Sequence, residues 1–109
     1  MTVFVVQENN YMDYTPAEDF GEVRFLTVDE YRPISSSLRN LQILEDIRKG
    51  LKDFDPEKDY IVFTGNPVVM GYAFHQLFSR FPEFRILHWR SKENRYQSSM
   101  FKERDDNGY

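Results

Sequence analysis

Short β-rich runs alternate with helical segments along the whole chain. The runs occupy residues 2–6, 22–28, 60–64 and 84–89, and the helical segments occupy residues 15–21, 36–52 and 67–80. Strands that are separated by helices pair in parallel, because a crossover helix returns the chain to the same edge of the sheet. The pattern therefore predicts an α/β fold with a parallel sheet.

The end of the chain modifies this pattern. A polar stretch at residues 90–94 reads as a hairpin loop into a last strand at 96–101, which adds an antiparallel edge. Right-handed crossovers favour a Rossmann-like, three-layer arrangement with the strand order 2-1-3-4-5. The 109 residues fit one domain, which we place at residues 1–101, with a frayed polar tail at 102–109.

Both longer helices carry start signals and an apolar stripe. We expect a serine among Ser35, Ser36 and Ser37 to cap the first helix, and Asn66 to cap the second before Pro67. Residues spaced by three or four predict the buried faces. These residues are Leu38, Leu41, Leu44, Ile47, Leu51 and Phe54 in the first helix, and Met70, Ala73, Phe74, Leu77, Phe78 and Phe81 in the second. Phe63, Phe74 and Leu77 are expected to be almost fully buried.

Composition excludes several classes of function. The chain has no cysteine, which removes disulfides, thiolate metal sites and thiol nucleophiles. The net charge of −4 argues against non-specific nucleic-acid binding, which needs a cationic face. No apolar run reaches the roughly 20 residues that span a bilayer, and the first residues do not read as a signal peptide. We therefore expect a cytoplasmic protein with neither nucleic acid nor membrane as partner.

A ligand site is predicted at the carboxyl ends of the strands, where the strand order reverses. The chain leaves these ends at Gln7 and Asn9, at Arg32, and at Thr64, Gly65 and Asn66. The helix starts at Ser35–Ser37 and at Asn66 would direct backbone N–H groups toward the same region, which favours an anion. These nine residues form the hypothetical binding set: Gln7, Asn9, Arg32, Ser35, Ser36, Ser37, Thr64, Gly65 and Asn66.

Each signal at this site also has a structural explanation. The segment 64–67 contains no GxGxxG or GxxxxGK[ST] motif, so it is either a phosphate contact or only the start of a helix. His75 and His88 lack a partner at a metal-ligand spacing and are interpreted as structural. We assign no catalytic residue, no metal ligand and no cofactor.

Aromatic residues give a second interpretation of the same end of the sheet. Tyr11, Tyr14, Phe20 and Tyr31 fall in two loops there, where they either roof the core or form an exposed anchor for a protein partner. The edge strand at residues 96–101 could also pair with another chain.

Three segments carry a resemblance to a known group of proteins. DYIVFTGNP (59–67), DYTPAE (13–18) and SSSL (35–38) make residues 1–97 similar to small uncharacterised accessory proteins of tailed bacteriophages. The resemblance implies a virus-encoded protein that acts in the host cytoplasm by binding and modulating a host protein. It carries no catalytic residues across. The alternative is a module that binds a phosphate-bearing small molecule or nucleotide, and an enzyme is the third hypothesis.

Overall fold

The computed structural model describes residues 1–32 and 37–103. The strands are β1 (Thr2–Gln7), β2 (Glu22–Thr27), β3 (Tyr60–Val62), β4 (Glu83–Arg90) and β5 (Arg95–Lys102), and the α-helices are α1 (Leu38–Gly50) and α2 (Pro67–Arg80). Short 3₁₀ helices lie at Thr15–Asp19 and Leu51–Asp53. Residues 104–109, most of the predicted tail, lie outside the described part of the chain.

The sheet has the predicted strand order, β2-β1-β3-β4-β5. β1 pairs in parallel with β2 and β3, and β3 pairs in parallel with β4, while β5 is antiparallel to β4. The α/β class, the parallel sheet and the antiparallel edge are therefore confirmed. β3 pairs with β4 at only two positions, so most of the β4–β5 hairpin continues beyond β3 at the carboxyl end of the sheet.

The two faces of the sheet are covered unequally. Side chains alternate along β1, so Phe4 and Val6 pack under α1 and α2, while Val3 and Val5 point to the opposite face. That opposite face is covered by Tyr14, by Ala17 of the first 3₁₀ helix, and by their neighbours in the β1–β2 connection. The predicted three-layer arrangement is not confirmed, because the β1–β2 connection forms five residues of 3₁₀ helix instead of a full α-helix.

The buried stripe of α1 was predicted incorrectly at its start. Leu38 is 81% exposed and Leu41 is 63% exposed, whereas Asn40 and Ile43 are buried. The face toward the sheet also contains Gly50, where a Cβ atom would overlap the Leu26 side chain. An asparagine and a glycine thus occupy two positions of the buried face, and a stripe chosen by hydrophobicity alone misses both.

The stripe of α2 was predicted more accurately. Leu77 is fully buried, as expected, together with Ala73. Phe63 and Phe74 are only partly buried, which contradicts the prediction for them. Their rings belong to a cluster beside β5, the last strand of the sheet, where no further element covers them within the described residues.

No helix in residues 1–32 and 37–103 is long and apolar enough to cross a membrane.

Candidate functional site: the carboxyl end of the sheet

A crevice of about 480 Å³ lies where the sequence predicts a ligand site. Its walls come from the residues after β1, the residues after β2 and the start of α2. Three members of the predicted set, Gln7, Asn9 and Asn66, line it. The lining residues are Gln7, Glu8, Asn9, Asn10, Tyr11, Val28, Asp29, Glu30, Tyr31 and Asn66.

Gln7 holds two sides of the crevice together. Its side chain is buried, with 6% of the residue exposed. The amide Nε2 donates to the carbonyl oxygen of Asp29 at 2.6 Å, and Oε1 accepts from the backbone N–H of Asn66 at 2.7 Å. Both polar ends of the amide are therefore engaged within the protein, which is how a buried amide avoids a desolvation penalty.

The predicted segment 64–66 contacts Gln7 and leads into α2 next to the crevice. Thr64 Oγ1 donates to the carbonyl oxygen of Gln7 at 2.7 Å and lies 3.1 Å from the Tyr14 hydroxyl. Gly65 has a φ of 112°, which residues with a side chain rarely adopt. Asn66 caps α2, as predicted, because its Oδ1 accepts from the Val68 N–H at 2.8 Å. Neither Thr64 nor Gly65 lines the crevice.

The start of α1 is held by contacts that the sequence indicates only in part. Ser37 is the N-cap, and its Oγ accepts from the Asn40 N–H at 3.3 Å. The Asn40 side chain in turn accepts from the Arg32 N–H at 2.8 Å and donates to the Arg32 carbonyl oxygen. Arg32 itself is exposed and does not line the crevice. Ser35 and Ser36 lie outside the described residues, so their predicted role is not placed.

The charged groups that line the crevice are all acidic. Glu8, Asp29 and Glu30 contribute carboxylates, and no lysine or arginine among residues 1–32 and 37–103 lines the crevice. The guanidinium of Arg39 lies 3.9 Å from the Asp29 carboxylate at the surface and offsets part of this charge. A phosphate that entered the crevice would meet like charge, which disfavours it.

Tyr11 is the most exposed aromatic side chain at this end of the sheet. It is 99% exposed, although the loop that carries it is internally bonded. The Asn9 side chain accepts from the Tyr11 N–H at 3.0 Å, and the Asn9 carbonyl oxygen accepts from the Met12 N–H at 3.0 Å. The Tyr14 hydroxyl, which is buried with its ring, accepts from the Asn9 N–H at 2.9 Å. The loop is therefore fixed while the Tyr11 ring remains in solvent.

Tyr11 also lines a second cavity. It has a volume of about 240 Å³ and is lined by Tyr11, Met12, Asp13 and Trp89. Trp89 comes from β4 and packs edge-on against Tyr96, with ring centroids 5.0 Å apart, yet remains 37% exposed. Hydrogen bonds from the Thr15 side chain and backbone hold the pKa of Asp13 below its usual value. An aromatic and thioether surface thus adjoins the acidic crevice, and Tyr11 belongs to both.

Sequence reasoning identified part of this second surface. Tyr11 was among the four aromatic residues predicted either to cover the core or to form an exposed anchor for a protein partner. Met12 and Trp89 were not predicted. The alternation of β4 does carry a signal for Trp89. Leu87 packs in the cluster on the face opposite α1 and α2, so Trp89, two residues later, lies on that same thinly covered face.

Charge is divided between the hairpin and the rest of the chain. Residues 83–103 contain five basic residues (Lys or Arg) and three acidic residues (Asp or Glu). Residues 1–82 contain eight basic and thirteen acidic residues. Arg90 and Arg95 form the last pair of the hairpin at the carboxyl end of β4. Glu93 lies 3.9 Å from Arg90 and 2.7 Å from Arg95 and offsets part of their charge, so this end of the sheet presents an acidic crevice and a weakly basic hairpin.

Neither histidine lines the crevice or the cavity between Tyr11 and Trp89. His75 and His88 are exposed, and His88 Nε2 lies 2.7 Å from Ser99 Oγ. Residues 1–32 and 37–103 contain no group of three or more His, Cys, Asp or Glu that could hold a metal ion.

Comparison with known proteins identifies one family. The family model described as "Phage Pam3 gp32-like protein" matches residues 1–103. No curated protein and no solved structure matches the chain. The match covers nearly all of the chain and confirms the phage resemblance that the sequence indicated. The chain belongs to the family of phage Pam3 gp32-like proteins.

Proposed function

We propose that this phage protein is a non-enzymatic accessory protein that binds and modulates a host protein in the bacterial cytoplasm. The binding surface is centred on Tyr11 and includes Met12 and Trp89; we call these three residues the Tyr11 surface. The observation that carries the proposal is the Tyr11 ring, 99% exposed on a hydrogen-bonded loop and adjoining two cavities.

The Tyr11 surface has the physical properties of a binding anchor. Tyrosine and tryptophan dominate the energetics of protein interfaces, because each buries a large area and loses little side-chain entropy. The Asn9 and Tyr14 hydrogen bonds fix the backbone beneath Tyr11 before any partner arrives. A fixed backbone lowers the entropy cost of association, so more of the contact energy appears as affinity.

The charges around the surface favour a particular orientation of the partner. The carboxylates of Glu8, Asp29 and Glu30 line one side of Tyr11, and the hairpin that carries Trp89 continues to Arg90 and Arg95. Opposite charges arranged in this way steer an encounter and fix its register more than they raise affinity. A partner with the reverse arrangement, basic opposite the crevice and acidic opposite the hairpin, would be preferred.

The phosphate or nucleotide alternative has weaker support. The crevice would have to accept an anion among three carboxylates, and the Gln7 amide that faces it is already engaged at both ends. Arg32, the arginine of the predicted binding set, does not line the crevice, and the nearby Arg39 lies beside Asp29.

The proposal is tested by comparing variants for capture of a host protein. The wild-type protein and the Tyr11→Ala and Trp89→Ala variants are immobilised and exposed to the same host lysate. Leu41→Ala is the matched control, because Leu41 is also a large exposed apolar residue but lies on α1. Removing a central anchor costs about 2 kcal/mol or more, so we expect affinity for the captured protein to fall by roughly 30-fold or more in both site variants.

The control variant should capture that protein as the wild type does. If Tyr11→Ala retains wild-type affinity, the surface is not the one that binds. If calorimetry instead finds a phosphate-bearing ligand whose binding depends on Asn66 or Arg32, the alternative function is the correct one.

A further inference from the structure

Within residues 1–32 and 37–103, the centre of the outer edge of β5 is open to strand pairing. β5 is the last strand in the sheet, and it pairs with β4 at eight consecutive positions, from Glu83–Lys102 to Arg90–Arg95, without a bulge. It contains neither proline nor glycine, and residues 97–100 are uncharged. Proteins usually interrupt an exposed edge with one of these features, because a regular edge accepts another strand.

The other edge of the same sheet is different. β2 carries Glu22 and Arg24 along its length, and the Arg24 guanidinium lies 2.9 Å from an Asp53 carboxylate oxygen. Charged groups that must stay hydrated are one of the devices that keep an edge free. The sheet therefore has one charged edge and one edge with an uncharged centre.

We propose that β5 pairs antiparallel with β5 of a second copy of this chain, about a two-fold axis at Ser99. Such an axis, normal to the sheet, joins two five-stranded sheets into one of ten strands. It places residues at equal distances from Ser99 opposite one another. Arg95 then lies opposite Glu103 of the second copy, and Tyr96 lies opposite Lys102 of the second copy.

Charge complementarity favours this register over the two registers with axes at Ser98 and Gln97. Two-fold symmetry repeats each pair, so the Ser99 axis gives two Arg–Glu pairs, which are favourable across strands. An axis at Ser98 brings Glu93 opposite Glu103, and an axis at Gln97 brings Lys92 opposite Lys102. Like charges that lie directly opposite destabilise a strand pair.

The absence of cysteine allows a direct test by cross-linking. Residues opposite each other in antiparallel strands have Cα atoms about 4.5–5.5 Å apart, within the range of about 4.4–6.8 Å that a disulfide requires. A Ser99→Cys variant should therefore form a covalent dimer under mild oxidation. Ser98→Cys is the matched control, because Ser98 is equally exposed but would lie opposite Met100 and point to the other face.

The expected result is rapid cross-linking through position 99 and little through position 98. Equal cross-linking at both positions, or none at either, would overturn the register. Because Ser99 contacts His88, thermal unfolding in reductant establishes that the Ser99→Cys variant is folded before oxidation.

Sedimentation equilibrium measures the association without any cross-link. We expect a dimer at sub-millimolar concentration, weakened on the order of tenfold by Arg95→Glu or by Glu103→Arg. The double variant, which exchanges the two charges, should restore wild-type affinity. A wild-type protein that remains monomeric, or single variants that associate as the wild type does, would refute the proposal. Tyr11→Ala should dimerise normally, so this test is independent of the proposed function.

Discussion

Replacing Gly65 and Gly71 with alanine should change the free energy of unfolding in opposite directions. The same methyl group is added six residues apart, once in the turn before α2 and once inside that helix. At Gly65 the backbone has a φ of 112°, and a Cβ atom would lie 2.6 Å from Gln7 Cβ. At Gly71 nothing lies within 4 Å of the new atom. The pair therefore separates a required glycine from a dispensable one.

The cost at Gly65 has two parts. Holding alanine at this φ costs about 1–3 kcal/mol. The overlap with Gln7 also forces the turn at Gly65 away from the end of β1, because a change of rotamer cannot move the Gln7 Cβ atom. The bond between Gln7 Oε1 and the Asn66 N–H is then lost, which costs about 1–3 kcal/mol for a part-buried group. We expect Gly65→Ala to lower the free energy of unfolding by about 2–6 kcal/mol, or Tm by roughly 8–24 °C.

The expected effect at Gly71 is stabilising. An exposed glycine inside a helix costs about 0.5–1 kcal/mol relative to alanine, because it loses more backbone entropy on folding. Gly71→Ala should therefore raise the free energy of unfolding by that amount. Urea unfolding followed by circular dichroism measures both variants. If Gly65→Ala stays within 1 kcal/mol of the wild type, or if Gly71→Ala destabilises, the turn and helix geometries described above are incorrect.

Three further predictions concern the core, pH and ligands. In urea unfolding, Phe74→Ala should lower the free energy of unfolding by about 3–4 kcal/mol, because the Phe74 ring contacts Phe63, Phe84 and Phe101. Phe78→Ala should lower it by less, because Phe78 is 37% exposed. Burial, with smaller contributions from Tyr14 and Asp13, raises the pKa of Tyr96 to about 12. The free energy of unfolding should therefore fall between about pH 10 and pH 12, because the unfolded state loses the tyrosine proton first. The Tyr96→Phe variant should show a smaller fall. Thermal-shift assays should find no stabilisation by phosphate or nucleotides, whereas a ligand at 100 times its Kd would add about 2.7 kcal/mol.

The strand order could be predicted because two local signals agree with a general rule. The β-rich runs and helical segments define which strands are parallel, and right-handed crossovers then leave few arrangements. The caps at Ser37 and Asn66 were predictable for a similar reason, since each residue acts within its own turn. Features that depend on contacts between residues distant in the chain were harder to predict. Asn40 and Gly50 belong to the buried face of α1 only because Arg32 and Leu26 meet them there.

The candidate site shows the same division. The location at the carboxyl ends of the strands follows from topology and was predicted from the sequence. The roles of Gln7, Thr64 and Gly65 were not, because each acts on a residue that is distant in the chain. The acidic lining could not be predicted either, because the sequence alone does not show which charges of the loops face the crevice.

Photo-cross-linking inside the host cell tests the proposed binding surface most directly. A photoreactive phenylalanine analogue is placed at position 11 in one protein and at position 41 in another, since both side chains are exposed. We expect the position-11 protein to cross-link to one host protein and the position-41 protein not to cross-link to it. Cross-linking to the same protein from both positions, or from neither, would contradict the assignment of partner binding to the Tyr11 surface.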